Sequence, residues 1–344
     1  MIKAKKLNKG DTIAVLSPSW GGPSTFPHIY ESGIKALEKL GFRIKEFPSA
    51  KKDASFLYHN PEFRAKDIND AFSNKDIKAI IVTIGGDDSV RILPFLDIEM
   101  IKSNPKPIMG YSDTSTLNTY LNINGLITLN GPCVMAGFSQ WEALGEDFQS
   151  HIKTILLDNS SNYEYRPYPT YCNGYLDWSK QENTGKANKM IKNKGWTWLQ
   201  GDSKIEGELF GGCIEVLEMM KGTRFWPSED FWQGKILFLE TSEDVPTPDQ
   251  VLWMLRNYGV QGVFDKISAL LIGRAREYDK TKNKELYEKI KAVVDVEFKN
   301  DKIPIVANMD FGHTDPQWIM PLGIKAEIDC NKKTFKLTEK IFKD

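Results

Sequence analysis

Cysteine is scarce: Cys133, Cys172, Cys213 and Cys330 are the only four in 344 residues, they lie far apart, and no C-x-x-C pair occurs. That spacing supports neither a disulfide framework nor a thiolate zinc knuckle, and a reduced cytoplasmic setting is expected. Long apolar runs are also missing. The longest, such as Ala79–Val82 and Ala269–Ile272, are strand-sized and far below the ~20 residues of a membrane span. There is no charge excess either. Lys and Arg number 45 against 46 Asp and Glu, a formal net charge of -1, so no global basic field points to nucleic acid or an anionic membrane, and neither is expected as a partner. The start, Met1–Lys6, is basic, but Leu7-Asn8-Lys9-Gly10-Asp11 follows in place of an apolar stretch, and no export signal is expected.

What is present is an ordinary globular composition, 41% hydrophobic, in a chain long enough for about two domains. Short β-branched runs alternate with helical periodicity through the first 130 residues, the pattern of a parallel sheet with crossover helices. Strands are expected at Thr12–Leu16, Arg43–Phe47, Ala79–Ile84, Pro107–Tyr111 and Leu126–Leu129. A helix is expected from Tyr30 to Leu40, and another after Asn60-Pro61, with Asn60 as cap and Phe63, Ile68, Ala71 and Phe72 as apolar face. The fold class is α/β, with a doubly wound nucleophile domain over residues 1–158. Residues 159–203, rich in Tyr, Trp, Lys, Asn and Gly, read as a linker and substrate loop. A second α/β domain over 204–344 has strands at Lys235–Glu240, Ile267–Ile272, Pro304–Ala307, Ile324–Ile328 and Thr334–Leu337.

Ligands of open α/β sheets gather beyond the carboxyl ends of the strands. The residues placed there are Ser17-Pro18-Ser19, Gly85-Gly86-Asp87-Asp88-Ser89, Ser112-Asp113, Glu240-Thr241 and His313. Ser112 follows Met109-Gly110-Tyr111 and precedes a helix, a strand–turn–helix elbow that lifts a hydroxyl near helix amides able to stabilise an oxyanion. A plain cap at Ser112 or Asp113 fits the same residues. A serine nucleophile needs a base, and histidine offers four: His28, His59, His151 and His313. His59 precedes a helix cap, and His28 and His151 fall at helix starts, expected wet; His313 alone follows an apolar strand. Glu240 closes the apolar run Ile236–Leu239 and needs a partner once buried, which an imidazole N–H would supply. Taken singly, His313 also reads as a structural imidazole and Glu240 as a capping or paired carboxylate. The order Ser112, Glu240, His313 is the nucleophile–acid–base order of α/β-hydrolases.

Gly110-Tyr111-Ser112-Asp113-Thr114, Gly85-Gly86-Asp87, Gly207–Gly212, Leu237–Glu240 and Gly312-His313 together resemble the serine LD-carboxypeptidase family, which includes muropeptide LD-carboxypeptidases and microcin C self-immunity peptidases. The resemblance runs from about Asp11 to Leu337. It implies a Ser112–His313–Glu240 triad, an oxyanion hole from the Gly86 and Asp113 amides, a Rossmann-like first domain, a second domain of β-barrel-like character, an active site between them, and a homodimer. No cofactor or metal is implied. Leu176-Asp177-Trp178 and Gly195–Gly201 look like the microcin C branch, which implies an aminoacyl-nucleotide substrate rather than a muropeptide, with Trp178 stacking on the base. Three other readings compete: a GGDG-loop kinase, against which Asp88 replaces the final glycine; a two-lobed binding module; and a metal site drawn from Asp87, Asp88, Asp113, Glu240, His313 and Asp315.

Overall fold

The computed structural model describes residues 1–344. Thr12–Leu16 (β1), Arg43–Glu46 (β2), Ile77–Val82 (β3), Ile108–Gly110 (β4) and Thr128–Asn130 (β5) pair in parallel. The runs in β1 and β3 are apolar almost without interruption, as strands covered on both faces must be. Helices Pro27–Lys39 and Pro61–Ser73 help to cover them.

Asn60 stands at the N-cap of Pro61–Ser73 with Pro61 first in the helix, as expected, but its side chain does not do the capping. Its Nδ2 donates to the Phe56 carbonyl at 2.8 Å, closing the preceding helix Ala54–His59, and its side chain makes no bond to the helix that follows. The inner face of Pro61–Ser73 also carries more than Ile68, Ala71 and Phe72, because Arg64 and Asp67 are buried with them while Phe63 is half-buried.

The chain continues through Glu164–Tyr165 (β6), Thr170–Asn173 (β7), Ile191–Lys192 (β8), Thr197–Gln200 (β9), Lys204–Cys213 (β10), Lys235–Glu240 (β11), Ala269–Gly273 (β12), Ile305–Met309 (β13), Thr314–Asp315 (β14), Met320–Leu322 (β15), Lys325–Asp329 (β16) and Thr334–Leu337 (β17). The segment 159–203 is therefore not a bare loop, since it holds four short strands. The second sheet has eight strands in the order β6-β17-β16-β10-β11-β12-β13-β9, parallel from β10 to β13 and antiparallel outside. β10 is the longest strand and gives no continuous apolar run, because Gly207, Glu208, Gly211 and Gly212 interrupt it. The first sheet has six strands rather than five: β15 returns to pair antiparallel with β5, giving β15-β5-β4-β3-β1-β2. β14 joins a small third sheet with β7 and β8. One continuous core of 92 buried apolar residues runs through both large sheets. No helix is long and apolar enough to cross a membrane.

Arg64 fastens the first sheet to the loop that follows β3. Its guanidinium, fully buried, donates twice to Asp88 at 2.6 and 2.9 Å and once to the Pro18 carbonyl at 2.9 Å. Arg91 adds a third bond to Asp88 at 2.8 Å, from an exposed side chain. A buried charge that loses its partner costs more than the pair gave. Arg64→Met is expected to lower the unfolding free energy by about 3 kcal/mol, read as a fall in the urea midpoint at unchanged slope.

Candidate active site

The elbow at Ser112 forms as the residue pattern requires. Tyr111 is extended, Ser112 turns to a φ of 59°, and a short 3₁₀ turn over Ser112–Thr114 leads into the helix Ser115–Ile123. A non-glycine residue in the left-handed region costs of the order of 1–3 kcal/mol and persists only where its surroundings impose it. Neither Ser112 nor Asp113 caps the helix. The Asp113 carboxylate turns back to accept from the amides of Asp88 and Ser89 at 3.1 and 2.8 Å, holding the loop after β3.

That loop forms the other wall. A Cβ at Gly85 would sit 2.9 Å from the Ser112 Cβ and 3.0 Å from its Oγ, and Gly86 has a φ of 152° with Ser19 Oγ 2.1 Å from where its Cβ would be. Only glycine allows this approach of backbone to Ser112. Ser17 has a different task, its hydroxyl bonding that of Thr83 at 2.7 Å inside the sheet.

Glu240 ends β11 and His313 lies between β13 and β14. The two are buried together, with His313 Nδ1 2.7 Å from Glu240 Oε2. The Tyr111 ring packs on the imidazole at 4.9 Å between centroids, and the Tyr111 hydroxyl bonds that of Tyr175. A second carboxylate, Glu243, approaches the opposite nitrogen: its Oε2 is 2.7 Å from His313 Nε2, an ion-pair contact rather than an aligned hydrogen bond. No hydrogen bond joins Ser112 to His313. Burial works against charge on the ring, but Glu240 and Glu243 outweigh it and push the imidazole up to about 10. Glu243 is held down to about 2 by its contact with His313. Asp315, buried two residues on, is pushed up to about 6 by its own burial.

Ser112, His313, Gly86, Tyr175, Trp178, Glu243 and Arg276 line one cavity of about 490 Å³. Trp178 is half-buried there, edge-on to Phe26 at 5.8 Å and tilted on Tyr175 at 5.1 Å, with its carbonyl 2.9 Å from His28 Nε2. The other aromatics of 163–200 divide. Tyr163, Tyr165 and Tyr168 pack inward around His151, while Tyr171, Trp196, Lys192 and Lys194 line a separate, larger groove of about 900 Å³ that holds neither Ser112 nor His313. Size alone would favour that groove, but Ser112 and His313 line the smaller one. No three His, Cys, Asp or Glu side chains are grouped as a metal would require.

Neither Glu243 nor Arg64 was singled out from the sequence. Sequence reading also misplaced His151. That ring is buried in the last turn of Gly145–Lys153, accepting at Nε2 from the Ile319 amide at 2.8 Å and so donating from Nδ1 to the Tyr163 hydroxyl at 2.7 Å.

A strained serine at a strand–helix elbow, sharing a cavity with an imidazole clamped by a buried carboxylate, is the arrangement of a serine hydrolase, here a serine peptidase. Residues 13–131 match the LD-carboxypeptidase N-terminal domain and residues 206–328 the LD-carboxypeptidase C-terminal domain. The chain belongs to the LD-carboxypeptidase family. It is 32% identical over 340 residues to the microcin C7 self-immunity protein MccF of Escherichia coli, covering 98% of this chain and 95% of that one. To the probable murein peptide carboxypeptidase of Bacillus subtilis it is 26% identical over 333 residues, with 96% and 93% covered. The solved structure of MccF in complex with glutamyl sulfamoyl guanosine superposes with a TM-score of 0.88 at 30% identity, over 100% of both chains.

His151 gives a pH test. Burial lowers its imidazole to about 3, so the folded chain binds this proton less readily than the unfolded chain does. Its contribution to stability is full above about pH 6.5 and is lost as pH falls towards 3. Between pH 7 and pH 5 the chain is expected to lose about 2 kcal/mol more than His151→Gln does, measured by urea unfolding of both at the two pH values.

Proposed function

We propose that the chain is a serine amidase that hydrolyses the bond between an aminoacyl carbonyl and a nucleotide, the reaction expected of a microcin C-type self-immunity peptidase. Ser112 is the nucleophile, His313 the general base and acid, and Glu240 the carboxylate that fixes the imidazole tautomer. The Gly86 and Asp113 amides form the oxyanion hole and Trp178 stacks on the base. The observation that carries this reading is the cavity shared by Ser112, His313 and Trp178: a half-buried indole, held by Phe26, Tyr175 and His28, beside a nucleophile and an imidazole. The likeness to a structure bound to an aminoacyl nucleoside analogue supports the same substrate class.

The reaction then runs in two halves. As Oγ bonds to the carbonyl carbon, its proton passes to His313 Nε2 and the oxyanion is met by the two amides. Collapse breaks the C–N bond, and the leaving nitrogen takes the proton from Nε2. Water repeats the route on the acyl-enzyme and releases the amino acid carboxylate. The reading extends to a cytoplasmic homodimer on the family resemblance alone, checked by native mass and cell fractionation.

Ser112→Ala is expected to stay folded and to lose about 10⁴–10⁶-fold in kcat, with covalent labelling by a fluorophosphonate lost at the same time. Trp178→Ala is expected to raise KM for an aminoacyl-nucleotide by about 5–150-fold, the equivalent of ~1–3 kcal/mol of lost stacking, with kcat nearly unchanged. The murein-type relative keeps a second substrate in view. Hydrolysis of an L,D-linked muropeptide in preference to an aminoacyl-nucleotide would transfer the assignment to cell-wall peptides.

A further inference from the structure

Two glutamates touch the His313 imidazole, and they are not equivalent. Glu240 is sealed from solvent, whereas the Glu243 side chain is 53% exposed and can swing away at small cost. Glu243 nonetheless lies on the nitrogen that must face Ser112 for proton transfer, 2.7 Å from Nε2. Its backbone is fixed there by the turn after β11. Ser242 donates from its amide and its hydroxyl to Glu215 Oε1 at 2.9 and 2.8 Å, and its hydroxyl oxygen accepts from the Asp244 amide at 3.2 Å. A carboxylate oxygen stands 2.7 Å from each ring nitrogen, an arrangement that favours the imidazolium, the form that cannot accept the serine proton. Something must draw Glu243 off before the reaction can start.

The charge around the cavity indicates what. Asp87, Glu243 and Asp244 line it against the His313 ring, already claimed by Glu240, and Arg276, which is itself bonded to Glu277 at 3.1 Å. An anionic mouth next to the nucleophile suits a cation on the acyl half of the substrate. In an aminoacyl group the α-ammonium sits on the carbon next to the scissile carbonyl, so a carbonyl within reach of Ser112 brings that ammonium beside the carboxylate that contacts Nε2. A residue whose α-nitrogen is acylated, as inside a peptide, has no charge at this place.

We propose that Glu243 is a specificity-determining residue that receives the α-ammonium of a free aminoacyl group and, in moving onto it, releases His313 Nε2 to serve Ser112. The exchange is balanced: one carboxylate–cation contact replaces another, and the imidazolium gives its Nε2 proton to water. This rests on the amidase reading above and narrows it to acyl groups with a free α-amine. The groups that face the imidazole are Glu240 from β11, Glu243 from the turn, Asp315 from β14 and the Tyr111 ring at the end of β4, with Arg276 across the cavity.

The test compares an aminoacyl phosphoramidate of adenosine with its Nα-acetyl derivative, each hydrolysed by the unaltered chain and by Glu243→Gln across pH. The unaltered chain is expected to favour the free amine by about 10–100-fold in kcat/KM, the range of one charge-assisted hydrogen bond. In Glu243→Gln that ratio is expected to fall to near one, and the acidic limb of the kcat/KM profile to move to lower pH, because the ring has lost one of its two carboxylates. A ratio near one in the unaltered chain, or a preference kept in Glu243→Gln, overturns the role of Glu243 while leaving the amidase reading intact. Hydrolysis of neither compound by the unaltered chain overturns both.

Discussion

Between Met309 and Met320 the chain leaves the second sheet, pairs for two residues with β7 and enters the first sheet as β15, and His313 lies on this crossing. The imidazole can meet Ser112 only if this segment runs true, and it is fastened along its length. Asp310, buried, is gripped by Arg274 at 2.7 Å, by Asn193 at 2.9 Å and by Trp196 Nε1 at 3.1 Å. The Asp310 carbonyl accepts from the Trp318 amide at 2.7 Å, and the Ile319 carbonyl from the Tyr165 hydroxyl at 2.8 Å. Arg274 lies over the Tyr171 ring at 4.1 Å, so the aromatic segment and the segment that carries His313 share one buried cation. A pair of this kind is costly to break from one side, which makes it a fixed point for the geometry around it.

The cavity joins parts that cannot move to parts that can. Ser112 is locked by its turn and by the glycines that crowd it, and Glu240 by complete burial. Trp178 and Glu243 reach in from segments with solvent on one side. The rigid groups around the cavity are thus built at strand ends, while the more exposed ones come from turns and loops.

The sheet of the first 130 residues was legible because its strands are short apolar runs with turn residues between them, and the residues at their ends follow from the rule for open α/β sheets. β15 was not, because Met320-Pro321-Leu322 is too short to announce a strand and pairs with a partner far back in the chain. β10 was hidden by its glycines. At the site, Glu240 and His313 could be singled out because each follows an apolar strand, whereas Glu243 could not: nothing in Ser242-Glu243-Asp244 tells which acid turns inward. His151 failed for a related reason. Its pattern is that of an amphipathic helix end, and only the tyrosines of 163–168, which lie beyond the helix, close over it.

The return of β15 to the first sheet also has a consequence for the order in which the chain is made. During synthesis β1 to β5 emerge first, and β5 presents an open edge until Met320–Leu322 has left the ribosome. The Ser112 elbow at the end of β4 is thus made long before His313. A nascent chain halted before the crossing would hold Ser112 without His313 beside an unpaired strand, the kind of edge that recruits chaperones or a second nascent copy.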